Sequence, residues 1–116
     1  MSDEIKCLPV EPHDRATLLY RFASSDPVEV ADALYCAAHH DPDWKWVQGW
    51  CLTFLQSTHI GVRWAAGTCL GDLATFHKCL DLNLVLPALT EAAGDSTIAS
   101  AVQDSLSCIR QFVKVQ

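Results

Sequence analysis

Apolar residues recur at helical spacing along almost the whole of this 116-residue chain, and that periodicity limits its fold more than any other feature. The stripes run through Val30, Ala31, Leu34, Ala37 and Ala38; Trp44, Val47, Cys51, Phe54 and Leu55; Val62, Ala66, Cys69, Leu73 and Phe76; Val85, Leu86, Leu89 and Ala93; and Ile98, Val102, Leu106, Ile109 and Val113. A weaker stripe lies between Pro12 and Ala23. Because no stretch shows sustained strand alternation, the sequence predicts an all-α fold with about five or six helices.

Polar residues ahead of the stripes predict where the helices begin. These start signals are Asp26-Pro27, Asp41-Pro42-Asp43, Ser57 or Thr58, and Asp95 or Ser96. Another helix is expected after Asp81, but Pro87 is tolerated only in a first turn. Its start is therefore predicted near Leu84.

Two of the stripes repeat each other at an offset of 40 residues. Val62-Arg63 is followed by Ala66 and Cys69, and Val102-Gln103 is followed at the same distances by Leu106 and Ile109. That offset lies within the length of HEAT and armadillo repeats. The residues that resemble a HEAT repeat are 61–74, 84–89 and 94–95. The resemblance extends over 43–113, and it includes 12–40 only because helices continue there. The resemblance implies a right-handed α-solenoid of helical hairpins forming one domain, 1–116, with 1–11 irregular.

Gly67 and Gly71 are four residues apart on one predicted helix. Glycine is less favourable than alanine in a helix interior by up to about 1 kcal/mol. Small residues at this spacing let two helix backbones approach closely. We therefore expect tight packing to require both glycines.

The charge of the chain is acidic and unevenly distributed. The net charge is −6, and residues 1–50 contain nine acidic and four basic side chains. A nucleic-acid-binding protein needs a basic surface to neutralise phosphates, so we expect no nucleic-acid partner. The acidic half favours a basic protein partner through complementary charge, although the charge alone also serves solubility.

The cellular compartment is predicted from two sequence features, membrane-spanning helices and signal peptides. No apolar run reaches the roughly 18 residues of a membrane-spanning helix. The start, MSDEIKCLPV, has no basic and then apolar region of the signal-peptide kind. We therefore expect a cytoplasmic protein with no membrane partner. Six cysteines without a Cys-x-x-Cys pair are expected to be reduced and free of metal, with Cys36, Cys51, Cys69 and Cys108 in the core.

Few residues are candidates for chemistry. His39-His40-Asp41 invites a metal or general-base interpretation, but adjacent side chains on a helix point about 100° apart. Histidines also suit the carbonyl end of a helix. Nucleotide-binding Gly-Lys-Ser/Thr and nucleophilic Gly-x-Ser-x-Gly motifs do not occur. The His-Glu pairs that bind iron in the HEAT-like deoxyhypusine hydroxylases are missing too, so we predict no enzyme, cofactor or small-molecule substrate.

Four tryptophans, Trp44, Trp46, Trp50 and Trp64, fall within 21 positions. We expect Trp50 and Trp64 to fill gaps between helices, whereas packing and surface roles both remain open for Trp44 and Trp46. Exposed tryptophan beside acids is typical of a protein-binding hot spot. The predicted partner-binding residues are Asp26, Glu29, Asp32, Asp41, Asp43, Trp44 and Trp46. The surface around Asp72, Asp81 and Asp104 is the next candidate.

A Val-Arg-x-x-Ala start and a Cys-Leu-Gly-Asp-Leu-Ala core occupy residues 62–74. In a short acidic chain this pattern resembles bacterial immunity proteins, including those of contact-dependent growth inhibition (CDI) systems. The resemblance implies a small cytosolic protein that binds and neutralises the toxin domain of a cognate effector, often a basic nuclease. The alternative is a generic HEAT adaptor without enzymatic activity. A small metal-dependent HEAT enzyme is the third class.

Overall fold

The structure, a computed structural model, describes residues 14–113. Six helices and no strand occur in this range, which confirms the all-α prediction. They are α1 (Arg15–Phe22), α2 (Pro27–His40), α3 (Trp44–Phe54), α4 (Ile60–His77), α5 (Leu82–Ala92) and α6 (Ala99–Phe112). None of these helices has the length and apolar character needed to cross a membrane. The predicted irregular segment 1–11 and Cys7 lie outside the described residues.

Aspartate side chains cap the first three helices. Asp14, Asp26 and Asp43 each accept a hydrogen bond from a backbone N–H two or three residues further on. These N–H groups lack a partner inside the helix, so a carboxylate there also interacts favourably with the helix dipole. The start predicted at Asp26-Pro27 is confirmed, and Asp43 is the residue of the second signal that caps α3.

Three predicted starts are wrong by one to three residues. The residue before α4 is His59, and Ser57 Oγ instead accepts the His59 N–H in the preceding turn. Asp95 likewise accepts the N–H of Thr97 in a turn, and α6 begins only at Ala99. Both side chains hold the turn before the helix because Ser and Asp bond readily to nearby backbone.

The third wrong start belongs to α5. Asp81 precedes this helix as predicted, but the helix begins at Leu82, two residues before the predicted Leu84, and contains Pro87 in its second turn. Pro87 has no N–H to donate to the carbonyl of Asn83. Both residues are exposed, so water can take the place of the missing donor. The exposed position explains why proline is tolerated there.

The helices α2, α4 and α6 lie side by side and run parallel. Gly67 lies beside Val102 and Gly71 beside Ser105, so α4 and α6 advance in the same direction. Val28 lies beside Ile60 and His39 beside Asp72, so α2 advances with α4 in the same way. The helix α1 packs on α2, α3 on α4, and α5 on α6, with α4 at the centre. Stacked two-helix units would make these contacts. The solenoid arrangement, its assignment to HEAT repeats and its handedness stay predictions.

The core follows the predicted stripes closely. Val62, Ala66 and Cys69 of α4 are buried, as are Val102 and Ile109 at the offset of 40 residues on α6. The predicted core positions of Cys36, Cys51 and Cys69 are confirmed, whereas Cys108 is only half-buried. Burial raises the pKa of the Cys69 thiol well above its ordinary value, as does its hydrogen bond with Cys51. The stripe members Phe76 and Leu86 are exposed, contrary to the expected pattern.

The closest approach between α4 and α6 is at Gly71. A β-carbon on Gly71 would lie 2.7 Å from Ser105 Oγ and 3.0 Å from Ser105 Cα. The buried Ser105 hydroxyl donates a hydrogen bond to the carbonyl of Gly67. A β-carbon on Gly67, by contrast, would meet Val102 at 3.7 Å and Leu55 at 3.8 Å, which are ordinary contacts. The prediction of a required glycine is therefore confirmed at Gly71 and wrong at Gly67.

We predict that Gly71→Ala lowers the free energy of unfolding by about 1–3 kcal/mol because the added methyl group pushes α6 away from α4. The matched control is Gly67→Ala, which should be neutral or should stabilise by up to about 1 kcal/mol through helix propensity. Urea unfolding followed by circular dichroism measures both. Equal effects of the two substitutions would contradict the packing described here.

Candidate partner-binding surface

The predicted partner-binding residues lie in two groups at opposite ends of α2. Asp26 caps the first turn of α2, which also contains Glu29, and Asp32 follows in the next turn. Asp41 and Asp43 follow the last turn and lead into Trp44 and Trp46 at the start of α3. Since a helix rises about 1.5 Å per residue, Asp26 and Asp41 are about 20 Å apart. The structure therefore does not bring all seven residues together.

The second group interacts with Arg15 of α1. We call Arg15, Asp41, Asp43 and Trp46 the Arg15 cluster. Arg15 Nε is 3.2 Å from Asp41 Oδ2, and Nη2 is 3.1 Å from Asp43 Oδ2. The guanidinium carbon lies 4.2 Å from the centre of the Trp46 ring. Hydrogen bonds from Arg15 and from the Trp46 backbone lower the pKa of Asp43. This cluster ties α1 to α3 and partly neutralises two carboxylates predicted for a partner.

The tryptophans of α3 pack against the core. Trp50 lies 4.6 Å from Phe22 and 5.7 Å from Phe54 between ring centres, as expected of a gap-filling residue. Trp46 is half-buried, 6.3 Å from Phe22, and Trp44 is half-buried as well. The expectation for Trp64 is wrong, because 40% of this residue is exposed on the outer side of α4.

Trp64 belongs to an open surface across the three parallel helices, which we call the α2–α4–α6 face. Its residues are Val28, Asp32, Tyr35 and His39 of α2; Ile60, Trp64, Thr68, Asp72 and Phe76 of α4; and Ala101, Asp104 and Cys108 of α6. One groove joins Val28 and Asp32 to Ile60. A second joins Trp64 and Asp72 to Asp104. The rows follow the spacing of three or four residues that places side chains on one side of a helix.

Large apolar side chains are exposed along this face. The exposed fraction is 64% for Val28, 51% for Ile60, 50% for Phe76 and 40% for Trp64. Scattered exposed apolar residues are normal, but a group of them on adjacent helices is typical of an interaction surface. The face is therefore suited to contact with another protein.

The middle of the α2–α4–α6 face has a half-buried carboxylate, Asp72. Its Oδ2 lies 3.6 Å from Nε2 of His39, whose ring meets Phe76 edge-on at 4.9 Å between centres. Burial raises the pKa of Asp72, and the charge of His39 and its hydrogen bond oppose that effect. Tyr35, hydrogen-bonded to Thr68, lies near this carboxylate, and burial raises the pKa of its phenol. A cation arriving here from outside would meet a carboxylate partly removed from water.

The charge of the face is acidic. It includes Asp32, Asp72 and Asp104, and no lysine or arginine is among its residues. Arg63 of α4 points elsewhere: its Nε is 3.2 Å from Asp95 Oδ2 and its Nη1 donates to the Ser57 carbonyl.

Of the sequence-predicted residues, only Asp32 lies on this face, together with Asp72 and Asp104 of the second candidate surface. Asp81 does not, because it precedes α5 and its N–H donates to Gln48 Oε1 at 2.7 Å. Sequence reasoning missed Trp64 and Phe76 as surface residues. A sequence signal for their exposure was available: Trp64 and Phe76 share a row of four-residue spacing along α4 with the charged residue Asp72.

No group of three or more His, Cys, Asp or Glu side chains within residues 14–113 is placed to hold a metal ion. The rings of His39 and His40 are 6.4 Å apart between centres, and His39 faces Asp72. The expectation that the protein uses no metal or cofactor stays a prediction.

The fold is similar to that of one chain of a CDI complex from Cupriavidus taiwanensis. The two share 29% sequence identity and superpose with a TM-score of 0.81, over 90% of this chain and 95% of that chain. This chain has the fold of a CDI-complex component. No protein-family model and no curated protein sequence matches it. The similarity supports the resemblance to CDI immunity proteins, and it extends over nearly the full length of both chains.

We predict that Arg15→Gln raises the pKa of Asp43 toward its ordinary value, because the largest influence lowering it is the hydrogen bond from Arg15. The ionised Asp43 stabilises the fold above its unfolded-state pKa, and that stability is lost as pH falls through the lowered folded-state pKa. As pH falls between these two pKa values, the variant should lose less stability than the wild-type protein. Carboxyl carbon shifts followed by NMR during a pH titration measure the change.

Asp95 is the internal control for this titration. Its pKa is lowered mainly by hydrogen bonds from Thr97, so its midpoint should not move in Arg15→Gln. An unchanged Asp43 midpoint, or equal movement of both groups, would contradict the role assigned to Arg15.

Proposed function

We propose that this protein is an immunity protein of a CDI system, which binds the toxin domain of its cognate effector in the cytoplasm and neutralises it without catalysis. The observation that carries the proposal is the similarity to a CDI-complex chain at 29% identity, over 90% of this chain and 95% of that chain. A likeness over nearly the full length favours the same kind of role, which is binding to another protein. The acidic sequence and the open apolar face are independent support.

The charge of the chain favours a basic toxin domain, such as a nuclease. The net charge is −6, and three carboxylates lie on one face whose residues include no lysine or arginine. A nuclease uses basic groups to hold phosphates, so an acidic protein surface complements the same groups. Complementary charge also accelerates encounter and discriminates against wrong partners. Both properties suit a protein that must capture a toxin before it acts.

The helical packing supports the same proposal through preorganisation. The α2–α4–α6 face is built on three helices held by the buried contacts of α4, so little order has to be gained when a partner binds. A surface of this kind is able to cover the active site or the substrate path of a toxin without chemistry of its own.

The test is protection in cells. We expect a gene for a secreted effector directly upstream of the gene for this chain. The C-terminal toxin domain of that effector is expressed alone or with this protein, and viable cells are counted. We expect the protein to restore growth, and the purified components to bind with a dissociation constant in or below the nanomolar range. A toxin domain from an unrelated CDI system is the control and should not be neutralised.

Two results would contradict the proposal. One is toxicity that this protein does not reduce although it is expressed and folded. The other is stable association with a host protein in place of the toxin, which would instead support the HEAT adaptor.

A further inference from the structure

We infer that the toxin domain docks on the α2–α4–α6 face, with Trp64 as the central apolar anchor and Asp32, Asp72 and Asp104 as the groups that meet its basic side chains. This inference rests on the proposed function and adds the surface through which it acts. The Arg15 cluster, which contains the predicted residues Asp41, Asp43 and Trp46, is the competing location.

Exposed apolar side chains around Trp64 offer a partner contact area on this face. Trp64 lies on α4, the middle helix of the three, with Ile60 one turn before it. Val28 flanks Ile60 across the groove between α2 and α4. Tryptophan supplies a large contact area and is the residue type most often found at the energetic centre of interfaces. A partner centred on Trp64 reaches all three helices at once.

The carboxylates of the α2–α4–α6 face are more available to a partner than those of the Arg15 cluster. Within residues 14–113, Asp32 and Asp104 take part in no ion pair, and Asp72 faces only the imidazole of His39. Asp41 and Asp43 are already bound to Arg15, so a partner's cation would have to displace an existing one. Asp72 is half-buried next to exposed aromatic rings, where an incoming guanidinium interacts more strongly than in open water.

The same features select among classes of occupant. Nucleic acid would bring phosphates against three carboxylates and is repelled. A second copy of this chain would place like charges opposite each other on the same face. A basic protein domain alone satisfies both the apolar area and the charge.

The experiment uses a catalytically inactivated form of the upstream-encoded toxin domain as the probe. Trp64→Ala should weaken binding by about thirtyfold or more through faster dissociation, with an unchanged melting temperature. The matched control is Leu84→Ala on α5, where Leu84 is 54% exposed but lies off the face, and its affinity should stay the same. Surface plasmon resonance gives both rate constants.

Charge is tested by Asp72→Asn combined with Asp104→Asn. This double variant should associate more slowly at low salt and lose much of the salt dependence of its association rate. Asp43→Asn in the Arg15 cluster is the comparison and should change association little.

The outcomes separate the two proposals. Absence of binding by the wild-type protein would overturn the proposed function, and this inference with it. Binding that Trp64→Ala and the double variant leave intact would overturn the docking face alone, and a loss caused by Asp43→Asn would transfer the interface to the Arg15 cluster. A wild-type dimer that Trp64→Ala converts to monomer in analytical ultracentrifugation would show self-association there, which also overturns the inference.

Discussion

The contact between α4 and α6 at Gly71 is the constraint on which the rest of the structure depends. Because Ser105 occupies the space that a side chain at position 71 would need, the two helices approach closely, and the Ser105 hydroxyl pairs with the Gly67 carbonyl inside that contact. With α6 on one side, α2 on another and α3 behind it, α4 is enclosed except along the row from Ile60 to Phe76. The close packing thus leaves one side of the central helix open for contact with other molecules.

The local features of the fold were predictable from sequence because they depend on neighbours in the chain. Apolar spacing identified the six helices, and the Asp26-Pro27 signal located the start of α2, since a cap and its N–H are two residues apart. The side of a helix that faces solvent was harder to predict. Trp64 and Phe76 alternate with buried residues along α4, and only the positions of α2 and α6 decide which row is covered.

The candidate site was less predictable than the fold for the same reason. Arg15 reaches Asp41 across 26 residues and Asp43 across 28, and no local pattern indicates that pairing. Acidic composition located a charged segment but did not distinguish carboxylates that stabilise the fold from those that remain for a partner. Asp26 and Asp43 cap helices, whereas Asp32 lies on the open face. That distinction is a property of tertiary structure.

An exposed apolar surface is a hazard for any protein, since it promotes self-association as readily as it promotes specific binding. On the α2–α4–α6 face the apolar side chains are interspersed with aspartates, and like charges oppose each other when two copies meet. The same aspartates would attract a basic partner, so one arrangement disfavours self-association and suits the proposed contact. Burial makes ionisation of Asp72 less favourable, His39 opposes that effect, and a cation supplied by the proposed partner would oppose it further.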